Sequence, residues 1–121
     1  MKMENITATD IKTYYQVLDL KDDPALIAEY EKYHEKLWPE ITEGIKSVGI
    51  LDMRIYRTGN RMMMVMEVPA GFDFDTQMAK LGTLPRQEEW EELMWKYQQP
   101  LPFAAKGQKW MPMEKIFELE K

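Results

Sequence analysis

The residue types best suited to acid–base chemistry meet in residues 29–40, which contain the single histidine of the chain, His34. An imidazole titrates near neutral pH and can give or take a proton. Tyr30 and Trp38 stand four residues before and after His34, so on one helix the three rings would form a row on one face. Such a row suits a neutral sugar, because aromatic rings pack on the apolar face of a pyranose and a phenol supplies a hydrogen bond.

A structural role for His34 fits the same spacing. Apolar residues recur at helical intervals around it and would turn the imidazole toward the core. These residues are Leu26, Tyr30, Tyr33, Leu37, Ile41, Ile45 and Val48. Buried polar side chains commonly do no more than find a hydrogen-bond partner. Spacing alone therefore leaves both roles open.

Length and composition predict a small globular protein. The 121 residues, 45% of them hydrophobic, suit one core. We expect a flexible N-terminal segment over residues 1–10 and a single domain over residues 11–121. No apolar run approaches the roughly 20 residues of a membrane span, and the polar N-terminal segment lacks the apolar core of a secretory signal. We therefore expect a cytoplasmic protein that does not contact membranes.

Several classes of ligand are disfavoured by the composition. The net charge of −5 argues against nucleic acid, and no glycine-rich phosphate-binding loop occurs. Without cysteine there is no thiolate nucleophile, and a solitary histidine cannot form the histidine pair of a typical catalytic metal site. We expect no cofactor and no metal, although a carboxylate site for a hard cation stays open.

The order of predicted elements indicates an α+β fold. We expect strands over residues 11–20, 50–57, 61–68 and 111–119, with helices over residues 24–48, 72–81 and 85–98. Pro39 should break the first helix near Trp38, because proline lacks an N–H and clashes one turn back. Residues 99–108 form a long loop and a candidate lid. The β-α-β-β-α-β order is ferredoxin-like, an antiparallel sheet with helices on one face.

The strand over residues 61–68 is apolar on both of its faces, whereas a sheet with one wet face alternates apolar and polar residues. Its second face therefore needs a cover. A second copy of the sheet is the most economical cover, which predicts a homodimer. The alternative is a cover from the chain's own long loop or N-terminal segment.

The sequence resembles the L-rhamnose mutarotases, small dimeric ferredoxin-like α/β-barrel proteins that interconvert the anomers of a 6-deoxy sugar. The likeness is strongest in Glu29-Tyr30-x3-His34-x2-Leu37-Trp38-Pro39-Glu40, followed by Gly49 and Met53-Arg54-Ile55-Tyr56. The resemblance implies that His34 is the catalytic proton donor. Our own hypothesis is that His34 protonates the ring oxygen while a tyrosine, carboxylate or water takes the anomeric proton, and Tyr30 is the nearest candidate. The resemblance implies that Tyr30 binds a monosaccharide, and we assign substrate-binding roles also to Trp90 and Trp38. For either indole, the alternative is core packing.

Two positions depart from the pattern of that family. A substrate-contacting tyrosine falls on Met53, and a tryptophan pair appears as Glu89-Trp90. Such changes should alter which hydroxyl groups are held, so the substrate implied is L-rhamnose by resemblance, with L-fucose as the alternative.

Two other functions are compatible with the same architecture. One is a small cofactorless oxygenase with a histidine-lined pocket, and the other is a non-catalytic module that binds small molecules. The joint pattern of Tyr30, His34 and Trp38-Pro39-Glu40 favours the mutarotase.

Overall fold

The computed structural model describes residues 10–120, which form nine elements. In chain order these are β1 (Ile11–Leu20), α1 (Pro24–Glu35), α2 (Pro39–Ser47), β2 (Asp52–Thr58), β3 (Arg61–Pro69), α3 (Phe74–Leu81), α4 (Gln87–Trp95), β4 (Gln98–Gln99) and β5 (Met111–Pro112). The strands form one antiparallel sheet in the order β2-β3-β1-β4, with β5 also paired to β1. The predicted ferredoxin-like α+β fold is confirmed. Apart from Asp10, the N-terminal segment predicted to be flexible lies outside the described residues.

The predicted break in the first helical region is confirmed. The Asp23 carboxylate caps the start of α1 by accepting hydrogen bonds from the backbone N–H groups of Ala25 and Leu26, at 2.9 and 3.2 Å. α1 ends at Glu35, and α2 begins at Pro39, whose missing N–H is not needed in a first turn. No helix within residues 10–120 is long and apolar enough to cross a membrane.

The core lies between the helices and one face of the sheet. Leu18, Leu20 and Met62 are almost fully buried on that face and belong to one cluster with residues of the helices. The helical members are Tyr30, Ile41, Trp90 and Met94. A second cluster, built around Val48, Ile50, Met66, Val68 and Phe72, continues the core toward α3. The aromatic residues of α1 and α4 are thereby drawn together above the sheet.

The other side of the sheet, which we call the open face, carries the alternate residues of the three long strands. Cross-strand pairing brings Tyr15 opposite Val65 and Tyr56 opposite Met63. Tyr15 and Tyr56 are 47% and 53% exposed, although both are large aromatic residues. Ion pairs such as Asp19 with Arg61, at 2.7 Å, lie beside this apolar surface.

The predicted last strand over residues 111–119 is wrong beyond Pro112. Only Met111 and Pro112 pair with β1, opposite Val17 and Gln16. One further backbone hydrogen bond, from Met113 N–H to the Tyr15 carbonyl, follows at 2.8 Å. The short strand β4 lies beside β1 in the sheet order, at positions that we predicted as the end of a helix and the start of a loop. Gln98 and Gln99 have no strong preference for a strand, and they form one here because they pair with β1, which is a tertiary contact.

Candidate active site

A cavity of about 550 Å³ lies between α1, α2 and β2. This volume falls in the range of small-molecule sites, about 300 to 1,000 Å³. The wall contributed by α1, α2 and the segment between them consists of Tyr30, Glu31, His34, Glu35, Leu37, Thr42, Ile45 and Lys46. The opposite wall consists of Ile50, Leu51, Asp52, Met53, Ile55, Arg57 and Met62. Two of the four predicted site residues, Tyr30 and His34, therefore line the same cavity.

His34 is held in one tautomer by the backbone of its own helix. Its Nδ1 lies 2.8 Å from the Tyr30 carbonyl oxygen. A carbonyl only accepts hydrogen bonds, so Nδ1 carries the hydrogen, and Nε2 of the neutral ring is left as the proton acceptor. Burial lowers the pKa of His34 below its ordinary value of 6.5, and the hydrogen bond to the Tyr30 carbonyl opposes this shift in part. At neutral pH the imidazole is an uncharged base.

Tyr30 presents a protonated phenol next to that base. Its ring centroid lies 4.5 Å from that of His34, and the side chain is only 4% exposed. Burial raises the pKa of Tyr30 to about 12, although the Gln98 amide, 3.2 Å from the hydroxyl, acts in the opposite direction. The phenol stays protonated across the physiological range and can donate a hydrogen bond.

Trp38 and Trp90 are assembled differently from the predicted row. Because α1 ends at Glu35, Trp38 is not on the same helix as His34 and has an extended backbone, as expected before proline. Trp90 of α4 stands between them, with ring centroids 5.5 Å from His34 and 5.1 Å from Trp38. Neither indole lines the cavity. Trp90 packs against the imidazole and Trp38 packs against Trp90, while the Arg86 guanidinium covers the Trp38 ring at 3.9 Å.

The polarity of the cavity is uneven. Ile45, Met53 and Ile55 give it an apolar side, while charges stand at several wall positions. One charged pair, Arg57 with Glu31 at 2.7 Å, joins β2 to α1. Glu89, which we expected to affect the choice of sugar, does not line the cavity. Its carboxylate instead binds Arg86 on the surface of α4.

The loop predicted as a lid does not border the cavity. Lys109, just after that loop, binds Glu91 and lies 4.8 Å over the Trp95 ring. These contacts tie the segment to α4, and none of the cavity-lining residues comes from it. The hypothesis of a lid formed by residues 99–108 is therefore not supported.

Several cavity residues gave no signal in the sequence. Thr42, Lys46 and Arg57 are ordinary polar residues of surface elements, and only their positions around the cavity distinguish them. Gln98 lies outside the wall, beneath Tyr30. Only its burial, with 5% of the side chain exposed, distinguishes Gln98 from other glutamines, and burial is not visible in the sequence. Within residues 10–120, no group of three or more His, Asp or Glu side chains forms a metal-binding cluster.

A half-buried imidazole and a protonated phenol line one cavity of a ferredoxin-like fold, and these two groups can accept and donate protons. The chain belongs to the L-rhamnose mutarotase family, whose model matches residues 13–119. Members of this family are isomerases, and the chain is a sugar mutarotase. This membership favours the mutarotase over the oxygenase and the non-catalytic module that we considered from sequence.

One relative agrees with this family assignment, and two solved structures share the fold. The chain is 42% identical to an L-fucose mutarotase of Xanthomonas campestris over 105 residues, which cover 85% of this chain and 84% of the relative. An L-rhamnose mutarotase structure from Formosa agariphila superposes with a TM-score of 0.65 at 19% identity, covering 90% of this chain and 99% of that one. A tetracenomycin F2 cyclase from Streptomyces glaucescens gives a TM-score of 0.58 at 16% identity, covering 91% and 98%. The two structures are similar to this chain in fold.

The environment of His34 predicts its titration. Proton NMR of the imidazole Hε1 signal, unambiguous for a single histidine, should give a midpoint below 6.5 in the folded protein. A lowered pKa means that the unfolded chain binds more protons just below pH 6.5, so His34 should reduce stability as the pH falls through this range. Urea unfolding of the wild type and His34→Gln should show this loss in the wild type alone. A midpoint at or above 6.5 would contradict the described environment.

Proposed function

We propose that this mutarotase interconverts the α and β anomers of an L-6-deoxyhexose, with His34 as the catalytic residue and Tyr30 as a direct sugar contact. The observation that carries the proposal is the neutral imidazole at the cavity wall, with Nδ1 bound to the Tyr30 carbonyl and Nε2 left to take a proton. Trp90 packs against the imidazole and Trp38 packs against Trp90, so their contribution to binding is to hold His34 against the cavity.

The proposed reaction needs one proton-transfer group. Nε2 of His34 removes the proton of the anomeric hydroxyl, the bond between C1 and the ring oxygen breaks, and C1 becomes an aldehyde. The ring oxygen leaves as an alkoxide and takes the proton from the imidazolium. Both oxygens are bonded to C1, so one nitrogen can serve both. After rotation about the bond between C1 and C2, the reverse steps close the ring on the other face. His34 is thus the proton donor in its imidazolium form.

Tyr30 assists in this proposal without losing its proton. With a pKa of about 12, the phenol donates a hydrogen bond to the ring oxygen. This hydrogen bond becomes stronger as negative charge develops on that oxygen, which lowers the barrier more than it tightens binding.

Two observations support a 6-deoxy sugar, and L-fucose in particular. The apolar side of the cavity, formed by Ile45, Met53 and Ile55, offers a place for the C6 methyl group. The relative that is 42% identical over 85% of this chain is an L-fucose mutarotase. Met53, where the family pattern has a tyrosine, lines the cavity and can therefore affect the choice of sugar.

The open face supports the proposed homodimer. Tyr15 and Tyr56 leave large aromatic surfaces in water, and the partly exposed Met63, opposite Tyr56, extends this apolar area. A second copy packed sheet against sheet would remove this surface from water. The two cavities, on the helical sides of the sheets, would then face away from each other.

Replacing the base should abolish most of the activity. We expect His34→Gln to slow anomer exchange of L-fucose by about 10²- to 10⁴-fold, the usual contribution of general acid–base catalysis. Magnetisation-exchange NMR on the anomeric protons measures the rate. Lys32→Gln, an exposed change on the same helix, is the matched control and should exchange like the wild type. A folded His34→Gln variant with the wild-type rate would refute the catalytic role.

The apolar side of the cavity predicts selection at C6. L-galactose differs from L-fucose only by a hydroxyl on C6, and burying that hydroxyl without a hydrogen-bond partner is unfavourable. The protein should therefore accelerate anomer exchange of L-galactose at least about 10-fold less than that of L-fucose. Met53→Tyr should move the preference from L-fucose toward L-rhamnose. The same NMR assay on the three sugars tests both expectations. Equal acceleration of L-fucose and L-galactose would mean that this wall does not hold the methyl group.

The proposed dimer depends on the open face. Multi-angle light scattering of the wild type at micromolar concentration should give twice the chain mass. Tyr15→Glu or Tyr56→Glu should shift the protein toward the monomer, since a carboxylate would be buried at the interface. Ala79→Glu, an exposed change on α3, should leave the mass unchanged. A monomeric wild type would exclude the sheet-to-sheet dimer.

A further inference from the structure

The buried amide of Gln98 has a bonding pattern that core packing does not explain. Gln98 lies on β4 opposite Leu20 of β1, at the edge of the sheet. Its Nε2 donates to the Tyr30 hydroxyl oxygen at 3.2 Å. Its Oε1 is buried and has no hydrogen-bond partner within residues 10–120. An apolar side chain would fill this position without leaving a buried polar atom unpaired.

The hydrogen bond from Gln98 decides how the phenol of Tyr30 can be used. A phenol oxygen can accept a hydrogen bond and can donate its own hydrogen. The amide N–H of Gln98 occupies the oxygen as an acceptor, and no hydrogen bond within the described residues takes up the hydroxyl hydrogen. That hydrogen is left for a ligand. Because Tyr30 lines the cavity, the ligand is the molecule bound there.

We propose that Gln98 is a positioning residue, which orients the Tyr30 hydroxyl as a hydrogen-bond donor toward an oxygen atom of the bound sugar. The proposal rests on the proposed function for the identity of that sugar. Gln98 does not line the cavity and acts only through Tyr30. Sequence patterns gave no indication of this role, because a lone glutamine at the end of a helix is unremarkable.

Reversing the polarity of the amide gives the sharpest test. Gln98→Glu has nearly the same shape, but an ionised carboxylate would accept the Tyr30 hydrogen instead of donating to its oxygen. We expect kcat for L-fucose anomer exchange to fall about 10- to 100-fold at pH 8, with little change in KM, because the lost interaction acts mainly in the transition state. Gln98→Leu, which only removes the donor, should cost about 10-fold.

The pH profile separates positioning from a packing defect. In Gln98→Glu the activity relative to wild type should recover as the pH is lowered, since a protonated carboxyl can again donate to the phenol. A packing defect would be independent of pH. Gln99→Leu, an exposed change at the next residue of the same strand, is the matched control and should leave the kinetics unchanged. Wild-type kcat for Gln98→Glu at pH 8 would overturn the proposal.

A double-mutant cycle tests whether Gln98 acts through Tyr30. Tyr30→Phe removes the hydroxyl, so adding Gln98→Leu to it should cause no further loss in kcat. Additive losses would show an action independent of Tyr30 and would overturn the proposal.

A measurement without catalysis keeps this proposal separate from the proposed function. The ¹³Cζ resonance of Tyr30 in tyrosine-labelled protein reports on the hydrogen bond at the phenol oxygen. It should shift in Gln98→Leu and stay in place in Gln99→Leu. A wild-type protein that accelerates no sugar would refute the function, while an unshifted Tyr30 resonance in folded Gln98→Leu would refute the positioning.

Discussion

The hydrogen bond between His34 Nδ1 and the Tyr30 carbonyl is the interaction on which the site depends. It links an imidazole to the backbone of its own helix, one turn earlier. The bond sets the tautomer, limits rotation of the ring and leaves Nε2 as the only proton acceptor of the neutral side chain. The Tyr30 backbone thus orients the base, while the Tyr30 side chain provides the neighbouring phenol.

The end of α1 makes this arrangement accessible. If the helix continued past Glu35, the next turns would carry Trp38 along the same face and would close over the space beside His34. Pro39 instead starts a new helix, and residues of α1, α2 and β2 line the cavity. His34 lines the cavity and also packs against Trp90, which in turn packs against Trp38. Arg86, whose backbone adopts the left-handed conformation with a φ of 62°, places its guanidinium over the Trp38 ring.

The surroundings of the site suit a reaction that needs little besides proton transfer. A neutral imidazole, a phenol that keeps its proton, and an apolar side wall provide a proton acceptor, a hydrogen-bond donor and an apolar surface. Family membership and the 42% identity to an L-fucose mutarotase agree with this chemistry. Residues outside the cavity wall support both groups. The buried Gln98 donates a hydrogen bond to the Tyr30 hydroxyl, and Trp90 packs against His34.

The sequence by itself determined the fold class, the break at Pro39 and the pairing of Tyr30 with His34, because these depend on helical spacing, proline geometry and strand alternation. It also pointed to Met53, which lines the cavity. Local patterns could not predict that Trp90 would separate His34 from Trp38, that Glu89 would bind Arg86 at the surface, or that β4 would form at Gln98. The expected final strand stopped at Pro112 for the same reason. These features depend on which elements meet across the core, and contacts between residues distant in sequence are decided only by the tertiary structure.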